Sequence, residues 1–198
     1  LRVLAADPES AARTFYQAAL PALGHQVYAT ETGRHLLELC RAAPPDLLIL
    51  DAGLPPPGPL GLAVAVCREF PVPVLLTAAE PDAGAVWGAL DCPAVGTLAK
   101  PLTAAALGAA VAALARTFDR VRVARAEAAA LRQAMDDRKV IERAKGAVMR
   151  FAGCGEDDAY RRLRRMASGT NRRLVDVSRE VLAAGDVFGQ LAGALPAS

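Results

Sequence analysis

The first 115 residues alternate short apolar runs with helical patterns, five times over. The apolar runs, which predict strands, lie at residues 3–6, 26–29, 47–50, 74–76 and 96–99. Segments with helical spacing follow them, around residues 10–23, 33–42, 60–70 and 82–90 and from about residue 103. Parallel strands need such crossovers, and strands buried on both faces read as unbroken apolar runs. The pattern predicts a five-stranded parallel sheet covered by helices on both faces, an α/β fold.

Four polar residues stand at the carboxyl ends of the predicted strands. They are Asp7, Asp51, Thr77 and Lys100. Parallel strands end at one edge of a sheet, and ligands of such folds bind there, so we expect the four side chains to converge. Two carboxylates, a hydroxyl and an ammonium group suit a phosphorylatable aspartate. One carboxylate accepts the phosphoryl group, the acid pair holds Mg²⁺, and the other two groups contact the phosphoryl oxygens.

The motifs around these residues resemble the receiver domain of two-component response regulators. The resemblance covers residues 1 to about 118 and rests on Asp7, Asp51-Ala52-Gly53-Leu54-Pro55, Thr77-Ala78 and Lys100-Pro101. It implies a flavodoxin-like domain in which Asp51 is the phosphoacceptor and forms a Mg²⁺ site with Asp7. It also implies that Thr77 is the switch hydroxyl, that Lys100 contacts the phosphoryl group, and that a histidine kinase is a partner.

Three features depart from the receiver pattern. Pro8 stands where the family has its second metal-binding acid, and Thr97 replaces the usual aromatic switch residue. Four prolines among residues 55–59 stiffen the loop before the next helix, because each ring fixes φ at about −65°. We therefore expect a degenerate receiver with a weak Mg²⁺ site. Asp51 and Lys100 then form an ion pair, and the domain serves as a docking and dimerisation scaffold.

The segment from residue 114 to 135 contains neither proline nor glycine, and its apolar residues follow a broken three-four spacing. They are Leu114, Phe118, Val121, Ala128, Leu131 and Met135, with Arg125 in the same seam. The spacing predicts a continuous helix that pairs with a copy of itself as a weak coiled coil, so we expect a homodimer. We divide the chain into a receiver-like domain at 1–118, a connector helix at 119–135 and a helical domain at 136–190. A loose tail is expected at 189–198.

The helical domain shows three helical patterns separated by breaks. The first has an apolar face and leaves its basic residues, Lys145 among them, largely outside. That face comprises Val140, Ile141, Ala144, Val148, Met149 and Phe151. The second begins at Glu156 and repeats the pattern at Ala159, Tyr160, Leu163, Met166 and Ala167. Residues 168–171 close it and offer side-chain oxygens to cap the third, which runs through Leu174, Val175, Val177, Val181 and Leu182.

This order of residues resembles the ANTAR domain, the RNA-binding output module of transcription antitermination regulators. The resemblance rests on Arg138, Ile141-Glu142, Ala144-Lys145-Gly146, Met149, Glu156, Ala159-Tyr160, Leu163-Arg164, Ala167, Asn171 and Leu174. It implies a small three-helix domain that binds paired RNA hairpins in an mRNA leader and prevents a terminator from forming. Gly146 is informative in itself, since glycine inside a helix costs about 1 kcal/mol relative to alanine. Such a glycine indicates close approach of another surface, either a neighbouring helix or RNA.

Seven residues are the predicted RNA contacts. They are Arg138, Lys145, Arg161, Arg165, Asn171, Arg172 and Arg173. The charge distribution favours this assignment, because residues 1–115 hold six Lys and Arg against ten Asp and Glu, whereas residues 116–198 hold seventeen against eleven. A basic domain behind an acidic one fits a control domain joined to a nucleic-acid-binding domain. A solvated arginine face and a helix cap at Asn171 are the plainer interpretations.

Composition narrows the class of protein further. Hydrophobic residues make up 53% of the chain, which indicates a buried core, and the longest uncharged apolar stretch, at 102–115, is too short to span a bilayer. The four cysteines show no metal-ligand spacing and are expected to be buried, reduced thiols. We therefore expect a cytoplasmic regulator without membrane contact and without enzymatic turnover.

Two other functions fit the same pattern. Three basic helices behind a receiver also describe a DNA-binding response regulator. Alternatively, the departures at Pro8 and Thr97 favour a protein-interaction switch controlled by a ligand-sensing partner. A phosphatase-like enzyme with Asp51 as nucleophile is disfavoured, because no further general acid is placed near it.

Overall fold

The computed structural model describes residues 1–79, 92 and 94–194, with side chains through residue 187. The chain divides into two compact units, Leu1–Arg125 and Ala126–Ser198. The division falls inside the segment predicted to be a connector helix. No helix in the described part of the chain is long and apolar enough to cross a lipid bilayer.

The first unit contains one parallel sheet. Its strands are β1 (Arg2–Ala6), β2 (Gln26–Thr30), β3 (Leu47–Asp51), β4 (Val74–Ala78) and β5 (Val95–Ala99), in the spatial order β2-β1-β3-β4-β5. Its described helices are α1 (Ser10–Ala22), α2 (Gly33–Ala42) and α3 (Gly58–Glu69), and α4 (Ala104–Ala152) begins here. The predicted doubly wound α/β fold is confirmed. The helix predicted at 82–90 lies outside the described residues.

The sheet is buried on both faces, as its unbroken apolar runs predict. Alternate side chains of β3 point to opposite faces: Leu48 and Leu50 join the cluster under α2 and α3, while Leu47 and Ile49 join the cluster under α1 and the start of α4. The order of the strands reverses between β1 and β3, where doubly wound sheets bind their ligands. The polar residues at the ends of these strands are thus placed on a rigid, fully covered scaffold.

The second unit consists of the remainder of α4 followed by α5 (Glu156–Gly169) and α6 (Leu174–Ala194). The three-helix architecture is therefore confirmed. The turn before α5 includes Gly153, whose φ of +59° favours glycine. Three acidic residues, Glu156, Asp157 and Asp158, occupy the first turn of α5, where the helix dipole favours negative charge.

Three details of this unit differ from the sequence prediction. Met149, Phe151, Tyr160 and Met166 were placed on buried faces, but they are 36%, 65%, 40% and 54% exposed. The buried stripe of α4 and α5 in this unit is narrower than predicted because four of its five residues are alanines. They are Ala144, Ala147, Ala159 and Ala167, and the fifth is Leu163. The expected loose tail is also wrong in part, since α6 continues to Ala194.

Residues 168–171 were expected to close α5 and to cap α6 with their side-chain oxygens. The first expectation is confirmed, because α5 ends at Gly169 and the Thr170 hydroxyl donates to the carbonyls of Met166 and Ala167. Asn171 adopts a left-handed φ of +51° after α5. Asparagine tolerates this conformation better than most residues, so Asn171 has a local structural role.

Candidate functional site

Two carboxylates and one ammonium group meet at the carboxyl edge of the sheet. Asp51 ends β3, whereas Asp7 and Lys100 directly follow β1 and β5. Lys100 Nζ lies 2.8 Å from Asp51 Oδ2 and 3.2 Å from Asp7 Oδ2. The side chain of Asp7 is fully buried and that of Asp51 is 8% exposed. Lys100 therefore forms ion pairs with two acids in a place that water scarcely reaches.

Two hydroxyl groups complete this cluster. Thr77 Oγ1, on β4, donates to Asp51 Oδ2 at 3.1 Å. The hydroxyl of Tyr16, on α1, lies 3.1 Å from Asp7 Oδ2 and 3.3 Å from Thr77 Oγ1. Burial, with a contribution from Asp7, raises the pKa of Tyr16, so this group stays protonated and donates to Asp7. The structure thus brings together all four predicted receiver residues and adds a fifth.

Sequence reasoning missed Tyr16. A tyrosine on the apolar face of a predicted helix is read as core, and Tyr16 is indeed fully buried. The available signal was its hydroxyl, because a buried tyrosine usually needs a hydrogen-bond partner. The nearby polar groups at the strand ends were the candidates.

Glu9 is the third acid in contact with Lys100. Glu9 Oε2 lies 3.1 Å from Lys100 Nζ, although the Glu9 side chain is 63% exposed. Burial alone lowers the pKa of Lys100, but hydrogen bonds to Asp51, Glu9 and Asp7 outweigh it and raise the pKa above its ordinary value. The ammonium group is therefore fixed in its charged form at any physiological pH.

The donor set does not fit a divalent cation well. Mg²⁺ demands octahedral oxygen coordination, and Pro8 contributes no side-chain oxygen. Asp7 Oδ1 and Asp51 Oδ1 accept hydrogen bonds from the backbone N–H groups of Glu9 and Gly53, at 2.9 and 2.8 Å, and both Oδ2 atoms contact Lys100. No group of three His, Cys, Asp or Glu side chains in the described residues could hold a metal ion. Asp7 and Asp51 are the carboxylates available to Mg²⁺, but their oxygens already have donors within the chain.

The predicted RNA contacts lie on α4, on α5 and in the turn before α6. Four of them form ion pairs with acids of the second unit: Lys145 with Glu142 and Glu156, Arg161 with Asp158, Arg172 with Glu180, and Arg173 with Asp176. The remaining three, Arg138, Arg165 and Asn171, are exposed. Sequence reasoning did not identify these acidic partners, although three of the five pairs join residues only three positions apart.

Lys145 differs most from its prediction. It was expected to lie largely outside, but its side chain is only 11% exposed. Its ammonium lies 2.8 Å from Glu142 on the same helix and 2.7 Å from Glu156 at the start of α5. Hydrogen bonds to Glu142 and Glu156 raise the pKa of Lys145, so it remains charged and ties α4 to α5.

Gly146, the next residue, has open space around it. A Cβ atom added there would meet only an Arg150 guanidinium nitrogen, at 3.8 Å, which is an ordinary contact. No neighbouring helix in the described chain therefore requires glycine at this position. The sequence predicted that either a neighbouring helix or RNA approaches Gly146. Among the described residues no neighbouring helix does so.

Two family models match the chain. The response regulator receiver domain matches residues 3–112, and the ANTAR domain matches residues 129–182. The chain therefore belongs to the response regulators, with a receiver domain followed by an ANTAR domain. Both resemblances drawn from the sequence are confirmed.

Individual proteins show the same relationship. The transcriptional regulatory protein PdtaR of Mycobacterium tuberculosis strain H37Rv is 28% identical over 185 residues, covering 91% of this chain and 90% of PdtaR. The nitrate regulatory protein of Klebsiella oxytoca is 41% identical over 54 residues, which are 27% of this chain and 14% of that protein. Chemotaxis protein CheY4 of Vibrio cholerae superposes with a TM-score of 0.52 at 25% identity, covering 57% of this chain and 97% of CheY4.

Proposed function

We propose that this chain is a transcription antitermination regulator that binds paired RNA hairpins in nascent mRNA through its ANTAR domain. It acts in the cytoplasm as a homodimer, without catalytic turnover, and its receiver domain governs the RNA-binding module. The combination of the two domain matches supports this proposal. So does the similarity to two proteins that are named as regulators, PdtaR and the nitrate regulatory protein.

The observation that carries the proposal is the exposed arginine face of α5. Ala159, Leu163 and Ala167 are buried at four-residue intervals and mark the inward stripe of this helix. Arg161 and Arg165 are exposed and lie one turn apart on the opposite side. Arginines at this spacing can contact successive phosphates of an RNA backbone, and their planar donors suit phosphate oxygens.

The ion pairs of this surface are compatible with RNA binding. Arg161 and Asp158 are both exposed, and exposed pairs contribute only about 0–1 kcal/mol. A phosphate group can therefore replace the acid at little cost. We propose Arg161 and Arg165 as the central contacts. The other proposed contacts are Arg138, Asn171, Arg172 and Arg173, whereas we assign Lys145 to the link between α4 and α5.

For the receiver domain we propose control through a protein partner rather than through ordinary phosphorylation. Lys100 already forms ion pairs with Asp7 and Asp51, and Pro8 supplies no third ligand, which supports a degenerate site with weak Mg²⁺ affinity. A histidine kinase or a ligand-sensing protein is then a docking partner. Binding to the receiver would release or sequester the RNA-binding module.

The experiment is a titration of the unmodified full chain, without phosphodonor, against a labelled tandem-hairpin RNA. A loop-scrambled RNA and a DNA duplex serve as controls. Tight binding that depends on the loop sequence supports the proposal and shows that the receiver does not lock the module. Equal binding to all three leaves only general attraction to phosphate, and preference for the duplex favours a DNA-binding regulator.

Charge-matched variants sharpen this experiment. Arg165→Ala removes one positive charge from the proposed surface, whereas Arg34→Ala removes one from an exposed position on α2 in the receiver domain. Loss of one phosphate contact lowers the slope of log K against log salt by about 1. We expect this change for Arg165→Ala and none for Arg34→Ala; equal behaviour of the two variants would contradict the assigned surface.

A further inference from the structure

Two cysteines of the receiver unit lie side by side although they are 25 positions apart in sequence. Cys67 is in the last turn of α3, and Cys92 stands shortly before β5. Their Sγ atoms are 2.7 Å apart. A disulfide bond joins two sulfur atoms at about 2.05 Å, so a displacement of less than about 1 Å would bring them to bonding distance.

The surroundings of the pair distinguish it from the other cysteines. Cys67 and Cys92 are half-buried and pack at the border of the cluster under α2 and α3, whereas Cys40 is buried within that cluster. Burial raises the pKa of the Cys40 thiol to about 11, which keeps it protonated. The hydrogen bond from Cys92 lowers the pKa of Cys67, against the effect of burial. Because the thiolate is the reactive form, Cys67 is more nucleophilic than Cys40.

We propose that Cys67 and Cys92 form a reversible disulfide and make the receiver unit responsive to hydroperoxides. In the first step, the Cys67 thiolate attacks a peroxide oxygen, which forms an S–O bond, breaks the O–O bond and gives a sulfenic acid and one water. In the second, the sulfur of Cys92 attacks the Cys67 sulfur, which forms the S–S bond and breaks the S–O bond, and the hydroxide that leaves takes the Cys92 proton to give a second water. Two thiols are oxidised, one hydrogen peroxide is reduced to two waters, and a dithiol reductant reverses the reaction.

The bond would join the two segments that precede β4 and β5. It ties the end of α3 to the polypeptide just before β5, and the loop it closes contains β4 with Thr77. Lys100 follows β5 directly. The link lies at the amino ends of β4 and β5, at the sheet edge opposite Thr77 and Lys100, so it fixes where these two strands begin.

The test exposes the reduced full chain to hydrogen peroxide, blocks remaining thiols with an alkylating reagent and maps the modified peptides. Before alkylation, the oxidised chain should be about 2 Da lighter than the reduced chain. Two of the four cysteines should then escape alkylation. The peptide map should contain one linked peptide that joins the Cys67 and Cys92 segments. Treatment with dithiothreitol should restore four alkylated cysteines. On a non-reducing denaturing gel the oxidised protein should run at the mass of one chain, because the expected link lies within a single chain.

Single substitutions provide the controls. Cys67→Ser and, separately, Cys92→Ser should each abolish the intramolecular link, while Cys154→Ser in the second unit should leave it intact. Circular dichroism checks that each variant is folded. If a variant does not fold, the peptide map of the unsubstituted chain decides the outcome. Two results would overturn the proposal. One is a disulfide between chains through Cys154. The other is full alkylation of Cys67 and Cys92 under conditions in which the oxidant has modified Cys154.

Discussion

Lys100 Nζ lies 2.8 Å from Asp51 Oδ2, and the same ammonium also contacts Asp7 and Glu9. One cation is therefore shared by three carboxylates, two of which are buried. Removal of a partner from such a group leaves uncompensated buried charge, and this costs more than the group contributes when complete. The stability of the receiver domain should depend strongly on this one side chain.

Lys100→Met should lower the free energy of unfolding by about 3 kcal/mol at neutral pH. The value is at the low end for buried pairs because Glu9 is exposed and can turn towards solvent. Urea denaturation of the receiver transition measures it. Lys139→Met is the matched control: Lys139 is 70% exposed in its pair with Asp136, so we expect a loss below about 1 kcal/mol.

The pH dependence has a defined sign. The pKa of Lys100 is raised above its ordinary value of 10.5 in the folded state, so its contribution to stability is complete below pH 10.5 and is lost as pH rises towards the folded-state pKa. The difference between the unsubstituted chain and Lys100→Met should stay constant from pH 7 to about 10 and narrow above that. A difference that grows with pH would contradict the ion-pair interpretation.

How far sequence reasoning reached depends on how local the signals are. α2 was predicted at 33–42 and spans Gly33–Ala42. The prediction agrees with the structure because residues close together in sequence determine both the helical spacing and the ends of this helix. The meeting of Asp7, Asp51, Thr77 and Lys100 followed from topology, since parallel strands must end at one edge. These predictions required no knowledge of individual contacts.

The contacts that sequence reasoning missed join distant segments. Tyr16 reaches Thr77 across 61 positions, and Cys67 meets Cys92 across 25. The burial of Lys145 depends on Glu156, which belongs to another helix. Periodicity assigns a face to each helix separately, so it cannot report which groups two elements bring together.

Pro8→Asp should strengthen Mg²⁺ binding at the receiver site. The substitution adds a third carboxylate beside Asp7 and Asp51, and cation affinity rises with the number and charge of oxygen ligands. We expect affinity to increase roughly tenfold, measured by isothermal titration calorimetry. Pro8→Ala removes the same ring without adding an acid and should leave affinity unchanged; an equal gain in both variants would implicate the ring instead.

Lys145→Gln separates a structural role from an RNA contact. Loss of the ammonium leaves Glu142 and Glu156 without their shared partner, so the ANTAR domain should unfold at a temperature a few degrees lower. Because the charge of Lys145 is already balanced within the chain, the salt dependence of RNA binding should not change. A decrease of about 1 in the slope of log K against log salt would show that Lys145 contacts a phosphate.

Gly146→Ala should stabilise the ANTAR domain and weaken RNA binding. Alanine is favoured over glycine inside a helix by about 0.5–1 kcal/mol, and the added Cβ meets only Arg150. If RNA approaches α4 closely at Gly146, the methyl group should reduce affinity on the order of tenfold. Thermal unfolding and hairpin titration measure the two effects separately. Stabilisation with unchanged affinity would mean that RNA does not approach Gly146.

Leu131→Glu should convert the proposed dimer into monomers. Leu131 and Met135 are 68% and 63% exposed and lie one turn apart on α4, as expected for a seam that a second copy covers. A charge in that seam cannot be buried without cost, so light scattering should report half the mass. Ala129→Glu places the same charge on the opposite side of the helix and should leave the dimer intact.

Since two linked modules gain affinity for two hairpins, Leu131→Glu should weaken binding to tandem hairpins on the order of a hundredfold while binding to a single hairpin is retained. Equal losses on the two RNAs would indicate damage to the ANTAR domain itself, and an unchanged mass would place the dimer contact elsewhere.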